Sequence, residues 1–264
     1  MADITPKAIN QYKIKRREEG VKPATINREL AAMKKAFNLA LKEWEWVREN
    51  PVMKVSMEVE NNKRERWLRD DEEKRLLEAC PGWLQELVVF ALNTGMRLSE
   101  ILELKWSEVD FSRMTVTVMR SKNGQKRTIP LNETAFEMLR AKSVIRPITI
   151  EPVFPSQAWT MLSRYNVSRA FRNVVGKAKI VDFHFHDLRH TFATRLVQAG
   201  KDLYKVQILL GHKTAAMTQR YAHHYPESLR DAVAALDSGQ WQSLSQFSHS
   251  NKKGATLIMG NSLN

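Results

Sequence analysis

Residues 186–194 spell HDLRHTFAT, and the run continues as RLVQAG to Gly200. Leu188, Phe192 and Leu196 recur every fourth residue, which is the spacing of a buried helix face. His186 and Arg189 are three residues apart, so a helix places them together on another face. His190 lies four residues after His186, inviting comparison with the H-E-x-x-H zinc motif. The chemistry argues against a metal. Asp187 stands where that motif needs glutamate, and Arg189 would set a cation beside the ion.

Outward from this helix, three further segments bear reactive side chains. Downstream, Leu210-Gly211-His212 is followed nine residues later by Tyr221, with Tyr225 a helical turn beyond. Upstream, Thr94-Gly95-Met96-Arg97-Leu98-Ser99-Glu100 follows a helical stretch with Trp83, Leu84, Leu87, Val88 and Ala91 on one face. A glycine at that helix break can aim Arg97 into a cleft, although a surface pair with Glu100 is the plainer reading. Between these lies a hairpin: Met114 to Met119 alternates Thr with Val, Asn123-Gly124 supplies a two-residue turn, and Arg127 to Leu131 returns. Lys122 sits beside the turn, where a lysine is ordinarily just solvated but could also reach a groove and donate a proton.

The first part of the chain reads as helical. Thr25 can cap a helix in which Ile26, Leu30, Met33, Phe37, Leu41 and Trp44 form the apolar stripe, while Arg28, Lys34, Lys35 and Lys42 occupy the other face. Asn50-Pro51 ends that unit, and the charged stretch Glu58 to Arg66 has the composition of an exposed linker. Asp70 to Ala79 is expected to be a helix, with Asp70 and Asp71 suited to its N-terminal dipole. After Asn132 the pattern is again helical, interrupted by a Pro-rich loop from Pro147 to Pro155. Glu227 to Leu236 can form a helix with Leu229, Val233 and Ala234 inward. Beyond Gly239, Ser, Asn, Gln and Gly suggest a flexible tail. The expectation is a mostly α fold with a small antiparallel β-sheet (α+β), divided into residues 1–58, residues 63–238 and a tail at 239–264.

Bulk composition narrows the partner. Across 264 residues, 42 Lys plus Arg face 29 Asp plus Glu, for a formal charge of +13. So basic a chain favours a polyanion, with nucleic acid foremost, because each neutralised phosphate releases a counterion. Cys80 is the one cysteine, which excludes an intrachain disulfide and a cysteine-based zinc finger, and leaves it a packing role. MADITPKAINQYK has no apolar signal region, and the run near Leu87 to Leu92 is far too short to span a bilayer. No membrane association is expected, and the expected location is cytoplasmic.

Together, TGMRLSEILEL, the Lys-bearing hairpin ending KRTIPL, HDLRHTFAT, and LLGH followed by MTQRYAH resemble the tyrosine recombinases of the phage-integrase family. The resemblance covers nearly the whole chain. It implies Tyr221 as nucleophile, Arg97 and Arg189 gripping a scissile phosphate, and Lys122, His186 and His212 completing the site. His186 is the implied acceptor of the tyrosine proton and Lys122 the donor to the departing 5′ oxygen. No metal, cofactor or ATP is implied. ITPKAINQYK through RENPV resembles the later half of the family's helical core-binding domain, so residues 1–58 are read as a partial, shortened DNA-binding domain and residues 63–238 as the catalytic domain.

The implied partners are double-stranded DNA and three further copies of the chain, with accessory DNA-bending proteins. A segment after the tyrosine is implied to dock on a neighbouring subunit. The implied setting is a mobile genetic element acting at the nucleoid. Two alternatives stay open: topoisomerase-like relaxation of DNA by a similar site, and a DNA-binding regulator with impaired recombination.

Overall fold

Proline at the first helical position opens both helices of the N-terminal unit, where its fixed φ suits the helix and its missing N–H costs nothing. The computed structural model describes residues 4–61, 66–119, 126–147, 149–222 and positions 230, 233 and 234. The chain divides into two compact units, Met1–Arg64 and Glu65–Asn264. The first contains α1 (Pro6–Glu18), α2 (Pro23–Lys42) and a 3₁₀ turn at Pro51–Lys54. Ile9, Ile26, Leu30, Phe37, Val52 and Val55 form its core.

Two expectations shift here. The start of α2 is Pro23, preceded by Lys22 as cap, rather than a helix capped by Thr25. At its other end the helix stops at Lys42, so Trp44 lies outside it, 44% exposed, with its ring 4.6 Å from that of Trp46.

The expected linker is packed at both ends. Glu58 pairs with Arg17 at 2.7 Å and with the buried Lys13 at 3.0 Å. These partners hold its carboxyl down at about 2. Asn27 Nδ2 donates to the Glu58 carbonyl, and the Glu58 N–H donates back to Asn27 Oδ1. On the far side Arg66 pairs with Glu72 and lies over the Phe183 ring. Charge composition alone does not distinguish a solvated run from one whose charges are matched by partners elsewhere in the chain. Residues 62–65 lie outside the described set.

The second unit is built around α4 (Gly82–Thr94), with Leu84, Leu87, Val88, Phe90 and Ala91 fully buried. Against it pack α6 (Glu133–Ile145), α7 (Arg164–Lys177) and α8 (Phe185–Gln198). α3 (Asp70–Ala79) is as expected, with four acidic residues in its first turn favouring the N-terminal dipole. The short α5 (Leu98–Leu102) follows α4. The chain then forms a three-stranded antiparallel sheet in the order β1 (Val109–Asp110), β2 (Thr115–Val118), β3 (Arg127–Pro130). β1 is too short to carry a periodic signal in sequence.

Val116 opposite Ile129 places both on the buried face of the sheet. Half-buried Cys80 packs against this core, and burial pushes its thiol up to about 11. α9 (Leu203–Leu210) and α10 (Ala216–Gln219) complete the unit around Ala193, Val197, Val206, Leu210 and Tyr221. No helix among the described residues is long and apolar enough to cross a membrane.

Past Tyr221, Val233 is 64% exposed and Ala234 is also exposed, contrary to the inward placement expected. Leu229 and the tail at 239–264 lie outside the described residues, as does the Asn123-Gly124 turn.

Candidate active site

The site is organised by two helix ends. α4 and α9 both close on glycines in the left-handed conformation, Gly95 and Gly211, each with φ of 63°. Helix C-termini leave carbonyl oxygens without intrahelical partners and carry partial negative charge. Arg189 from α8 answers both: Nη1 donates to the Gly95 carbonyl at 2.7 Å and Nη2 donates to the Leu210 carbonyl. The arginine is 3% exposed. Burial first, and the nearby Arg97 charge second, lower its pKa to about 9, which still leaves it charged at neutral pH.

Arg97 caps α5. Its N–H donates to Glu100 Oε2 at 2.8 Å and its Nη1 to Oε1 at 2.7 Å. The surface pair considered from sequence is therefore partly buried, with side-chain exposures of 17% for Arg97 and 2% for Glu100. Glu100 has a second cation that sequence reasoning passed over. Arg127 donates to both of its oxygens, at 3.1 and 2.6 Å. Burial alone would raise the Glu100 carboxyl, but Arg127 and Arg97 hold it at about 2. Arg127 Nε also donates to the Leu209 carbonyl at 3.2 Å, and its side chain packs where a Cβ on Gly211 would lie. A signal existed in the sequence: on β3, Arg127 is two residues before buried Ile129 and shares its face.

The histidines sit among these cations. His212 follows the Gly211 turn and its Nδ1 is 2.8 Å from Thr218 Oγ1. Burial, then Arg189 and Arg97, lower its pKa to about 3. His186 is exposed as a residue, yet burial of its ring, followed by Arg189, lowers its pKa. Tyr221 is 4% exposed, and burial raises the pKa of its phenol, with Arg220 and Arg189 opposing. The ring that meets the phenol is that of His190, with Nδ1 and Oη 2.6 Å apart. His190 was weighed in sequence only as a metal ligand. Its spacing from His186 was visible, but its separation from Tyr221 by 31 residues made the contact a tertiary matter.

The structure thus gathers Arg97, His186, Arg189, His212 and Tyr221 around one set of helix ends. Lys122 and the rival nucleophile Tyr225 lie outside the described residues. Two guanidiniums, a phenol and histidines whose pKa values are lowered are thus gathered on neighbouring elements, the group types that an anion site beside a nucleophile requires.

The sequence pattern of the phage integrase family matches residues 66–228, and that of the phage integrase N-terminal domain matches residues 1–57. The chain belongs to the phage integrase family. Among its relatives, the integrase of Salmonella phage P22 is 34% identical over 243 residues, covering 88% of this chain and 62% of that protein. The tyrosine recombinase XerC of Bacillus licheniformis is 31% identical over 243 residues, covering 86% of this chain and 79% of the relative. This integrase-family chain spans 64% of the Escherichia phage P2 integrase, so it is shorter than both phage relatives.

Among solved structures, a lambda integrase dimer bound to a COC′ core site superposes with a TM-score of 0.69 at 28% identity, covering 81% of each chain. A lambda integrase tetramer bound to a Holliday junction gives a TM-score of 0.69 at 27% identity, covering 81% of this chain and 66% of that one. The Tn1549 transposon integrase, at 23% identity and a TM-score of 0.72 over 88% of this chain and 85% of that one, shares the fold.

Proposed function

We propose that this integrase-family chain is a site-specific tyrosine recombinase that cuts and rejoins double-stranded DNA through Tyr221, without metal, cofactor or ATP. The observation that carries the reading is the position of buried Arg189, which lies within electrostatic reach of both Arg97 and the Tyr221 phenol. A phosphodiester repels nucleophiles, and its transition state gathers charge on the non-bridging oxygens. Two guanidiniums meet that charge with planar, paired donors. Arg97 and Arg189 grip the phosphate, and His212 adds a hydrogen bond. His186 completes the site beside His190, and Lys122 protonates the departing 5′ oxygen. The product is a 3′-phosphotyrosine and a free 5′ hydroxyl. The new ester retains the bond energy of the old one, so a second strand can attack and reseal it.

In this reading residues 1–58 are a DNA-binding unit and residues 63–238 the catalytic unit, with 239–264 a flexible tail. Four copies assemble on two duplexes at the nucleoid, helped by DNA-bending proteins. The exposed Val233 and Ala234 fit a segment that docks on a neighbouring copy.

The test uses nicked duplexes with a randomised central region, incubated with the protein. Adducts that survive detergent are captured and their DNA is sequenced. A Tyr221-linked adduct on a recurrent sequence supports the recombinase, and Tyr221→Phe should lose it while keeping DNA binding. Sequence-selective binding with no adduct would make the chain a DNA-binding regulator instead. Adducts formed by Tyr221→Phe would move the nucleophile to Tyr225.

A further inference from the structure

The group facing the Tyr221 hydroxyl is His190, at 2.6 Å from Oη through Nδ1, with the two rings 5.8 Å apart and tilted by 46°. His186, the acceptor implied by resemblance, stands behind it, its ring meeting that of His190 edge-on at 5.2 Å. Both histidines lie on one face of α8, and His190 immediately follows the buried Arg189. The geometry points to His190 as a catalytic residue: its Nδ1 takes the phenol proton as Tyr221 attacks and returns it when the strand is resealed. This rests on the recombinase reading above and names an acceptor that the resemblance did not.

The charge states agree with this direction. Burial first, then His186 and the nearby Arg220, keep His190 neutral with its pKa down at about 4. Burial keeps the Tyr221 phenol protonated. The proposed role needs the tautomer in which Tyr221 Oη–H donates to an unprotonated Nδ1 and Nε2 carries the imidazole proton. The charged and titratable groups acting on His190 are His186, Arg220, Asp187 and Arg189. A phosphate held by Arg97 and Arg189 adds a negative charge to this set. It offsets the cations that depress His190, so the imidazole becomes a stronger base when the substrate arrives.

The step balances. The Oη–H bond breaks as Nδ1–H forms, Oη bonds to phosphorus, and the P–O5′ bond breaks with its oxygen taking a proton from Lys122. Resealing runs in reverse, with the imidazolium protonating the departing phenolate. His186, edge-on to His190, fixes the plane of that ring and is a positioning residue.

The experiment measures single-turnover adduct formation by the full chain on a nicked duplex recovered from the randomised library. His190→Ala should slow it by roughly 10²-fold, the usual scale of a general base. A ring-fluorinated tyrosine at position 221, whose phenol is more acidic, should restore at least about tenfold in His190→Ala while changing the parent little, since the need for an acceptor falls with phenol pKa. His186→Ala should gain no such rescue. His190→Asn serves as a second variant if the alanine protein does not fold.

Without DNA, nitrogen NMR of labelled histidine should find His190 unprotonated at Nδ1 and protonated at Nε2 at neutral pH, and Tyr221→Phe should shift the Nδ1 signal. Adduct formation within threefold of the parent overturns the proposal, as does slowing without fluorotyrosine rescue, or rescue of His186→Ala instead. A parent that binds the duplex yet forms no adduct overturns the recombinase reading, and this one with it.

Discussion

Arg127 closes a two-pronged ion pair on Glu100, with Nη2 2.6 Å from Oε2 and Nη1 3.1 Å from Oε1, where the side chains are 9% and 2% exposed. The same carboxylate holds Arg97, so a strand of the hairpin, the start of α5 and the turn before His212 are tied through one buried anion. Glu100 neutralises two cations that would otherwise repel each other. It thereby fixes the direction from which Arg97 approaches the site.

Breaking that pair from one side should leave a buried charge unmatched. Glu100→Gln or Arg127→Met is each expected to cost about 3–5 kcal/mol in denaturant unfolding of the second unit. The double substitution should cost clearly less than the two added together. Additivity within about 0.5 kcal/mol would show that the two side chains act independently.

Arg97 and Arg189, proposed to grip the phosphate, should matter to chemistry more than to binding. Arg97→Ala or Arg189→Ala should each slow adduct formation by roughly 10²–10³, as loss of an oxyanion donor does elsewhere. Arg189→Lys should recover little, because an ammonium cannot span the Gly95 and Leu210 carbonyls as the guanidinium fork does. A change below threefold in single-turnover assays would remove that arginine from the phosphate.

Gly95 is required twice over. Its φ of 63° disfavours a side chain, and a Cβ there would come within 2.8 Å of Phe192 Cε1 and nearer still to Cδ1. Gly95→Ala should cost at least about 1–3 kcal/mol from overpacking. It should also slow the chemistry, since the Gly95 carbonyl orients Arg189. Unchanged unfolding midpoints would mean that Phe192 moves aside freely.

Acid should weaken the second unit through its histidines. The pKa values of His190 and His212 fall from 6.5 to about 4 and about 3 in the folded protein. The unfolded chain therefore takes up protons first. Their contribution is complete above pH 6.5 and shrinks as pH falls toward 4 and then 3. Urea midpoints measured across that range should drop, and His190→Gln should reduce the slope. Below the ordinary Glu100 value of 4.5, protonation of the unfolded chain adds a second loss that runs to about 2. A flat profile from pH 6.5 down to pH 4.5 would contradict the burial of these rings.

Much of this architecture was legible without coordinates because its signals are local. The helix at Asp70–Ala79, the left-handed stop at Gly95 and the alternating hairpin strands each follow from spacing within a dozen residues. The candidate list, Arg97, Lys122, His186, Arg189, His212 and Tyr221, came from the resemblance of four local motifs to the tyrosine recombinases. Partnerships between distant residues were not legible. The charges of Glu58 looked like solvated linker until Lys13 and Arg17 were seen beside it. Arg127 reads as one more surface cation until β3 places it beside Glu100, and His190 reads as a failed metal ligand until Tyr221 arrives from 31 residues away. Sequence alone determined the helices, the hairpin and the list of candidate groups, since periodicity and motif are properties of neighbouring residues. Only the tertiary structure decided which groups meet, because hydrogen bonds and ion pairs depend on separations of a few ångströms that chain order does not encode.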